Sequence, residues 1–223
     1  MSGALQPDDP AYAGQKHYTS RFLRIYDPLV LRLFGPFVWR CPTSRLVQHY
    51  ERHVRPRHLD VGPGTGFFLE RARLPEGIEL TLLDPNSDVL AHAARRLASL
   101  KPSTVQADVL KPLPLDQRFE SAALNYVWHC LPGPEWRKSA AIQHVASVLD
   151  DDGVLFGATV LGERDVHNWF SRAAMQSNVR QGIFDNLGDT AAGLRAALDE
   201  SFEQAEMETV GCVAVFSASE PRR

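Results

Sequence analysis

The chain has 223 residues, with 24 Lys and Arg against 27 Asp and Glu, for a net charge of −3. That balance lacks the clustered positive charge that phosphate neutralisation requires, so nucleic acid is not an expected partner. Hydrophobic residues at 44% and charged residues at 23% are ordinary for a globular chain, enough for one large core without cross-links, and the three dispersed cysteines exclude a disulfide framework or zinc ribbon.

Residues 1–17 carry Pro7, Asp8, Asp9, Pro10 and Gly14 without a hydrophobic period and read as a flexible N-terminus. Across residues 18–55 apolar side chains recur at helical spacing. One set runs from Phe22 through Tyr26 and Leu29 to Phe34, broken at Asp27-Pro28, and a second runs from Ser44 to Val54. From residue 56 onward strand and helix alternate. Strands are predicted at His58–Val61, Ile78–Leu83, Thr104–Ala107, Ser121–Asn125 and Val154–Val160, with helices at Gly66–Arg73, Ser87–Ser99 and Glu135–Leu149 and a turn at Asp151-Asp152-Gly153. Helical segments near 165–179 and 190–201 precede strands Gln204–Thr209 and Val213–Ser217, and the tight link at Gly211 favours an antiparallel hairpin. The expected fold is therefore α/β, a mostly parallel sheet with helices on both faces and an antiparallel last strand. No apolar run is long enough to span a bilayer, and no basic segment followed by an apolar one opens the chain. Cytoplasmic location and no membrane partner are expected.

The most informative stretch, Asp60-Val61-Gly62-Pro63-Gly64-Thr65-Gly66, closes the first strand and opens a helix. Open α/β sheets bind ligands at that place, and glycines there let the backbone turn sharply and approach a ligand. A dinucleotide fold wants a third glycine where this chain has Phe67. Asp60 separates the readings further, because a carboxylate beside the loop repels a pyrophosphate and attracts an ammonium. The loop prefers a cationic ligand.

On these residues the chain resembles the class I S-adenosylmethionine-dependent methyltransferases of the small-molecule type, with the glycine loop as their first motif. The resemblance implies S-adenosylmethionine as cofactor and a Rossmann-like, seven-stranded sheet over residues 56–223. It implies a helical lid over residues 18–55 and an acceptor-binding insertion near residues 162–188. It assigns the cofactor to Asp60, Gly62, Gly64 and Gly66, to Asp84 as the ribose-binding acid after the second strand, to Asp108 and the Val109 N–H at the adenine, and to Asn125. Without a ligand, Asp84 reads as a loop residue capping the next helix and Asp108 as a turn residue. Val127-Trp128-His129-Cys130-Leu131-Pro132 keeps one histidine of a family sequence with two. The Asn-Pro-Pro-Tyr motif of enzymes that methylate DNA adenine or glutamine is absent, since Tyr126 follows Asn125.

Methyl transfer from a sulfonium needs alignment and dryness more than covalent catalysis. His129 is the candidate general base, with a structural histidine bonded to backbone as the equal alternative. Tyr18, Tyr26, Trp39, Trp128, His129, His167 and Trp169 are candidates for the acceptor site, with core packing as the alternative for the aromatic members. His49 and His53 lack a third ligand and read as an exposed helix face, and no metal is expected. Cys130 reads as small buried filler. Arg40 is a weak candidate for the methionine carboxylate. The expected activity is methylation of O, N or S on a small apolar or aromatic metabolite. Its rivals keep the same pocket for a cyclisation or rearrangement, use it only for sensing the cofactor, or bind a nicotinamide.

Overall fold

The computed structural model describes residues 36–223. Residues 1–17, the helical pattern over Phe22 to Phe34 and the acceptor candidates Tyr18 and Tyr26 lie outside the described residues. The first described helix, α1 (Thr43–His53), buries Leu46 and Tyr50. It packs on the sheet and forms part of the floor beneath the glycine loop.

Strands β1 (Arg57–Val61) and β2 (Glu79–Leu83) each show one exposed residue followed by four buried ones, the signature of parallel strands covered on both faces. Helix α2 (Phe67–Arg71) links them, and α3 (Ser87–Arg96) leads to the short edge strand β3 (Ser103–Val105). There follow β4 (Phe119–Asn125), α4 (Glu135–Ser147) and β5 (Leu149–Val160). After α5 (Trp169–Arg180) and α6 (Ala191–Ser201), the chain closes with β6 (Phe202–Val210) and β7 (Val213–Pro221). The seven strands lie in the order β3-β2-β1-β4-β5-β7-β6. β7 runs antiparallel to both β5 and β6, and the other pairs are parallel.

Two elements differ from the sequence reading. Residues Asp151-Asp152-Gly153 do not separate helix from strand. β5 already begins at Leu149, opposite Phe119, and the stretch Asp150 to Gly153 bulges out before Val154 pairs with Ser121. The third strand ends at Val105 instead of Ala107, which leaves Asp108 in the loop beyond it.

The core divides about the sheet. Tyr50, Leu69, Leu80, Leu82, Leu90 and Phe156 pack beneath α1 to α3. The opposite face gathers Leu59, Leu83, Ile142, Leu155, Leu198 and Phe216. Because the strand order reverses between β1 and β4, a crevice opens at their carboxyl ends.

Candidate active site

The loop after β1 shapes this crevice through its backbone. Gly62, Gly64 and Gly66 have φ of 65°, 55° and 78°, the left-handed region that side chains other than glycine occupy at a cost of about 1–2 kcal/mol. A Cβ on Gly62 would also stand 2.5 Å from Val127 Cγ2. Phe67 fills the place where a dinucleotide fold needs glycine, is 7% exposed, and lies near the guanidinium groups of Arg71 and Arg96.

Three carboxylates stand at or just past the carboxyl ends of three adjacent parallel strands, Asp60 within β1, Asp84 directly after β2 and Asp108 in the loop after β3. Asp60 is 5% exposed, and its Oδ2 accepts the Tyr50 hydroxyl at 2.5 Å. Burial pushes its carboxyl up to about 7, against the lowering effect of that hydrogen bond. Asp84 is likewise raised by burial to about 7, and its Oδ1 accepts the Asn86 N–H at 2.7 Å. The cap of α3 is Asn86, which accepts the Asp88 N–H, so Asp84 is not consumed as a helix cap. Asp108 accepts the Leu110 N–H at 3.0 Å, a local turn bond that coexists with its place in the cleft wall. His144 on α4 holds this loop through the Val109 carbonyl at 3.0 Å.

All eight residues that the resemblance assigns to the cofactor line one cleft: Asp60, Gly62, Gly64, Gly66, Asp84, Asp108, Val109 and Asn125. Asn125, at the end of β4, brings a side-chain amide nitrogen that is buried without a hydrogen-bond partner, a donor in need of an acceptor. Beyond it the wall becomes apolar and aromatic, with Phe68, Tyr126, Val127, Leu131 and Ile183. The sequence reading did not select these wall residues. Ile183 follows α5 in an irregular segment, where no periodicity marks it. Tyr126 adopts a left-handed φ of 59° directly after the strand, a turn that no local residue preference announces. Cys130 also lines the cleft, with its Sγ near the Tyr126 carbonyl, and is not buried filler.

The acceptor candidates are placed differently. Trp128 and His129 are 0% and 2% exposed in a single turn of 3-10 helix and lie behind the cleft wall. His129 Nδ1 receives the Val160 N–H at 3.2 Å and lies 3.0 Å from Thr159 Oγ1. Burial lowers its pKa to about 3. A neutral ring whose Nδ1 accepts carries its proton on Nε2 and has no free lone pair. The geometry is that of the backbone-bonded alternative. Trp39, buried, meets the rings of His167 and Phe184, and Phe184 lies 4.3 Å from His129, centroid to centroid. His129 in turn meets Tyr126, which stacks on Phe68. Trp39, His129 and His167 thus form a second row of rings behind the cleft.

Trp169 and Phe170 are not core residues. They are 83% and 48% exposed at the start of α5, because the buried face of that helix is set by Ser171 and Met175. The α1 histidines are not an exposed face either. His49 bonds the Phe216 carbonyl, and both His49 and His53 pack on the Phe156 ring. Arg40 is turned to the Val166 carbonyl and Cys212, away from the cleft lining. Among the described residues no helix is long and apolar enough to cross a membrane.

Comparison with known proteins yields a matching family model, the methyltransferase domain, over residues 19–200. The Physcion biosynthesis cluster O-methyltransferase of Aspergillus chevalieri is 36% identical over 216 residues, covering 96% of this chain and 97% of that protein. The demethylluteothin O-methyltransferase of Streptomyces thioluteus is 36% identical over 213 residues, covering 95% and 93%. Among solved structures, N-methyltransferase NodS of Bradyrhizobium japonicum, in complex with S-adenosyl-L-homocysteine, superposes with a TM-score of 0.64 at 14% identity, covering 96% of this chain and all of that one. It shares the fold.

Proposed function

The chain belongs to the class I S-adenosylmethionine-dependent methyltransferases that act on small molecules, and from that premise we propose that it methylates a hydroxyl group on an aromatic, largely apolar metabolite. The observation that carries this reading is the convergence of eight cofactor positions, spread from Asp60 to Asn125, on one cleft that continues into aromatic walls.

The donor set suits the methyl donor group by group. Asp60 offers a carboxylate to an ammonium, Asp84 an acceptor to ribose hydroxyls, and Asp108 with the Val109 N–H an acceptor and a donor to the adenine edge. Asn125 contributes its unpartnered amide nitrogen. S-adenosylmethionine supplies a methyl carbon already activated by its sulfonium.

The protein then has to orient an acceptor and exclude water. Phe68, Tyr126, Val127, Leu131 and Ile183 provide apolar contact for a flat acceptor, and the ring row behind them stiffens that wall. His129 orients this wall and is not assigned the role of base, since its Nδ1 is occupied and its pKa lies far below neutrality. The acceptor's proton passes to solvent. The O-methyltransferase relatives support oxygen as the reacting atom. The three free thiols support a reducing, cytoplasmic setting, and the net charge of −3 gives no support to a nucleic-acid partner.

The test is a labelled-methyl screen of aromatic hydroxyls, amines and thiols. The expected result is the methyl ether of a hydroxyl acceptor, heavier by CH2 because methyl replaces the hydroxyl proton, formed together with S-adenosylhomocysteine. At saturating donor, where the Asp60 and Asp84 titrations no longer limit binding, the kcat–pH profile should show no histidine inflection near 6.5. Binding of the donor with products that keep the acceptor's mass would contradict methyl transfer.

A further inference from the structure

Below the glycine loop lies a polar chain in the apolar core, and the cofactor assignment does not use it. Tyr50, His58 and Ser121 are all 0% exposed, on α1, β1 and β4. Ser121 Oγ accepts the Arg55 N–H at 2.9 Å and lies 2.8 Å from His58 Nδ1. His58 Nε2 lies 2.7 Å from the Tyr50 hydroxyl, which donates to Asp60 Oδ2.

With Asp60 ionised, counting protons fixes the direction of each of these bonds. Burial holds His58 neutral, with its pKa down at about 3, and holds the Tyr50 phenol well above its ordinary value. The imidazole therefore has one N–H and the phenol one O–H. An ionised Asp60 can only accept, so the phenol proton is committed to it and the phenol oxygen must accept from His58 Nε2–H. His58 Nδ1 is then bare and accepts the Ser121 hydroxyl proton, while the Ser121 oxygen takes the Arg55 N–H. No donor is left over and no acceptor is shared between rivals. All four bonds point toward Asp60, and aligned bonds of this kind polarise one another in a low-dielectric interior. A packing role alone would not require four buried polar groups with one consistent polarity, since buried polar atoms cost free energy unless each is matched.

We propose that Tyr50, backed by His58 and Ser121, is a positioning residue that favours the carboxylate form of Asp60 and leaves its second oxygen for the amino-acid end of the methyl donor. This rests on the cofactor reading given above. The groups facing Asp60 are the Tyr50 phenol from α1, with the His58 imidazole behind it on β1. Asp84, which follows β2, lines the same cleft. Among the described residues, Tyr50 supplies the hydrogen bond that opposes the burial of the carboxylate.

The experiment is calorimetric titration with S-adenosylhomocysteine between pH 6 and 9, for the unaltered protein, Tyr50→Phe and Ser121→Ala. Tyr50→Phe keeps the ring that packs on Phe68 and Phe156 and removes the hydroxyl, which is both the donor to Asp60 and the acceptor for His58 Nε2–H. We expect its affinity to fall about fivefold at pH 7 and nearly tenfold at pH 6, corresponding to a rise of about one pKa unit, with the pH midpoint of binding displaced upward and affinity recovering as pH rises. Turnover at saturating donor should change little, so KM for the donor moves and kcat does not. Ser121→Ala, at the far end of the chain, should give a smaller shift in the same direction, and it carries the test if Tyr50→Phe does not fold. A folded variant with unchanged affinity and an unchanged pH midpoint overturns the proposal, even if its melting temperature falls. Failure of the unaltered protein to bind the nucleoside would instead refute the cofactor reading.

Discussion

Asp60 is buried enough for its carboxyl to rise to about 7, yet it borders the cleft where a cation would make ionisation favourable. The sign of the pH dependence follows. Ligand-free protein near or below pH 7 holds a proton on Asp60 part of the time, and an arriving ammonium expels it. Affinity for S-adenosylhomocysteine should therefore fall as pH drops from 8 to 6, with proton release detectable by calorimetry in buffers of different ionisation enthalpy. Asp84, also raised to about 7, contributes a share. Asp60→Asn should weaken binding at pH 8 by about 10- to 100-fold, the scale of a charge-assisted hydrogen bond, and should flatten the pH slope. Unchanged affinity would remove Asp60 from the site. The acid and its glycines were legible in sequence because their spacing is local, seven residues in one strand-turn segment. Tyr50 was not, since its partners His58, Asp60 and Ser121 come together only when α1 packs on the sheet. The placement of the acceptor candidates was not legible for a related reason. Aromatic composition marks Trp39, Trp128 and Trp169 equally, while tertiary packing buries the first two and leaves the third exposed.

At the level of elements, the segment that brings Ile183 to the cleft is tied down by a buried ion pair. Lys138 on α4 is 0% exposed and places its Nζ 2.8 Å from both carboxylate oxygens of Asp189, which is 2% exposed. The same ammonium reaches the Asp185 carbonyl, and the Asp185 carboxylate accepts the Gly133 N–H. The loop after α5 is thereby locked to the region that follows β4. Removing one partner leaves the other charge buried alone, so Lys138→Met should destabilise the fold by about 3–5 kcal/mol in urea denaturation. Adding Asp189→Leu should recover much of that loss. A destabilisation below about 1 kcal/mol for the single variant would show that water or a shifted loop compensates the carboxylate. The order and type of the elements from α1 to β7 followed from periodicity alone. Their ends did not: the β5 bulge depends on register with β4, and the early end of β3 reflects its exposed edge position.

Over the whole molecule, the reversal of strand order between β1 and β4 opens a single crevice, and the carboxyl ends of β1, β2, β3 and β4 deliver the recognising groups to it. Sequence pattern gives the succession of βαβ units, because each announces itself locally, but not the order in which the strands lie. It does not give the acceptor wall, which draws on α2, the turn after β4 and the loop after α5. The account depends on one ligand lying with its charged end at Asp60 and its sugar at Asp84. The most direct test is a crystal structure of the protein grown with S-adenosylhomocysteine. We expect the amino group within hydrogen-bond distance of the free Asp60 oxygen, both ribose hydroxyls on Asp84, and the sulfur facing Tyr126. A nucleoside bound in the reverse direction, or a cleft that stays empty at saturating ligand, would contradict it.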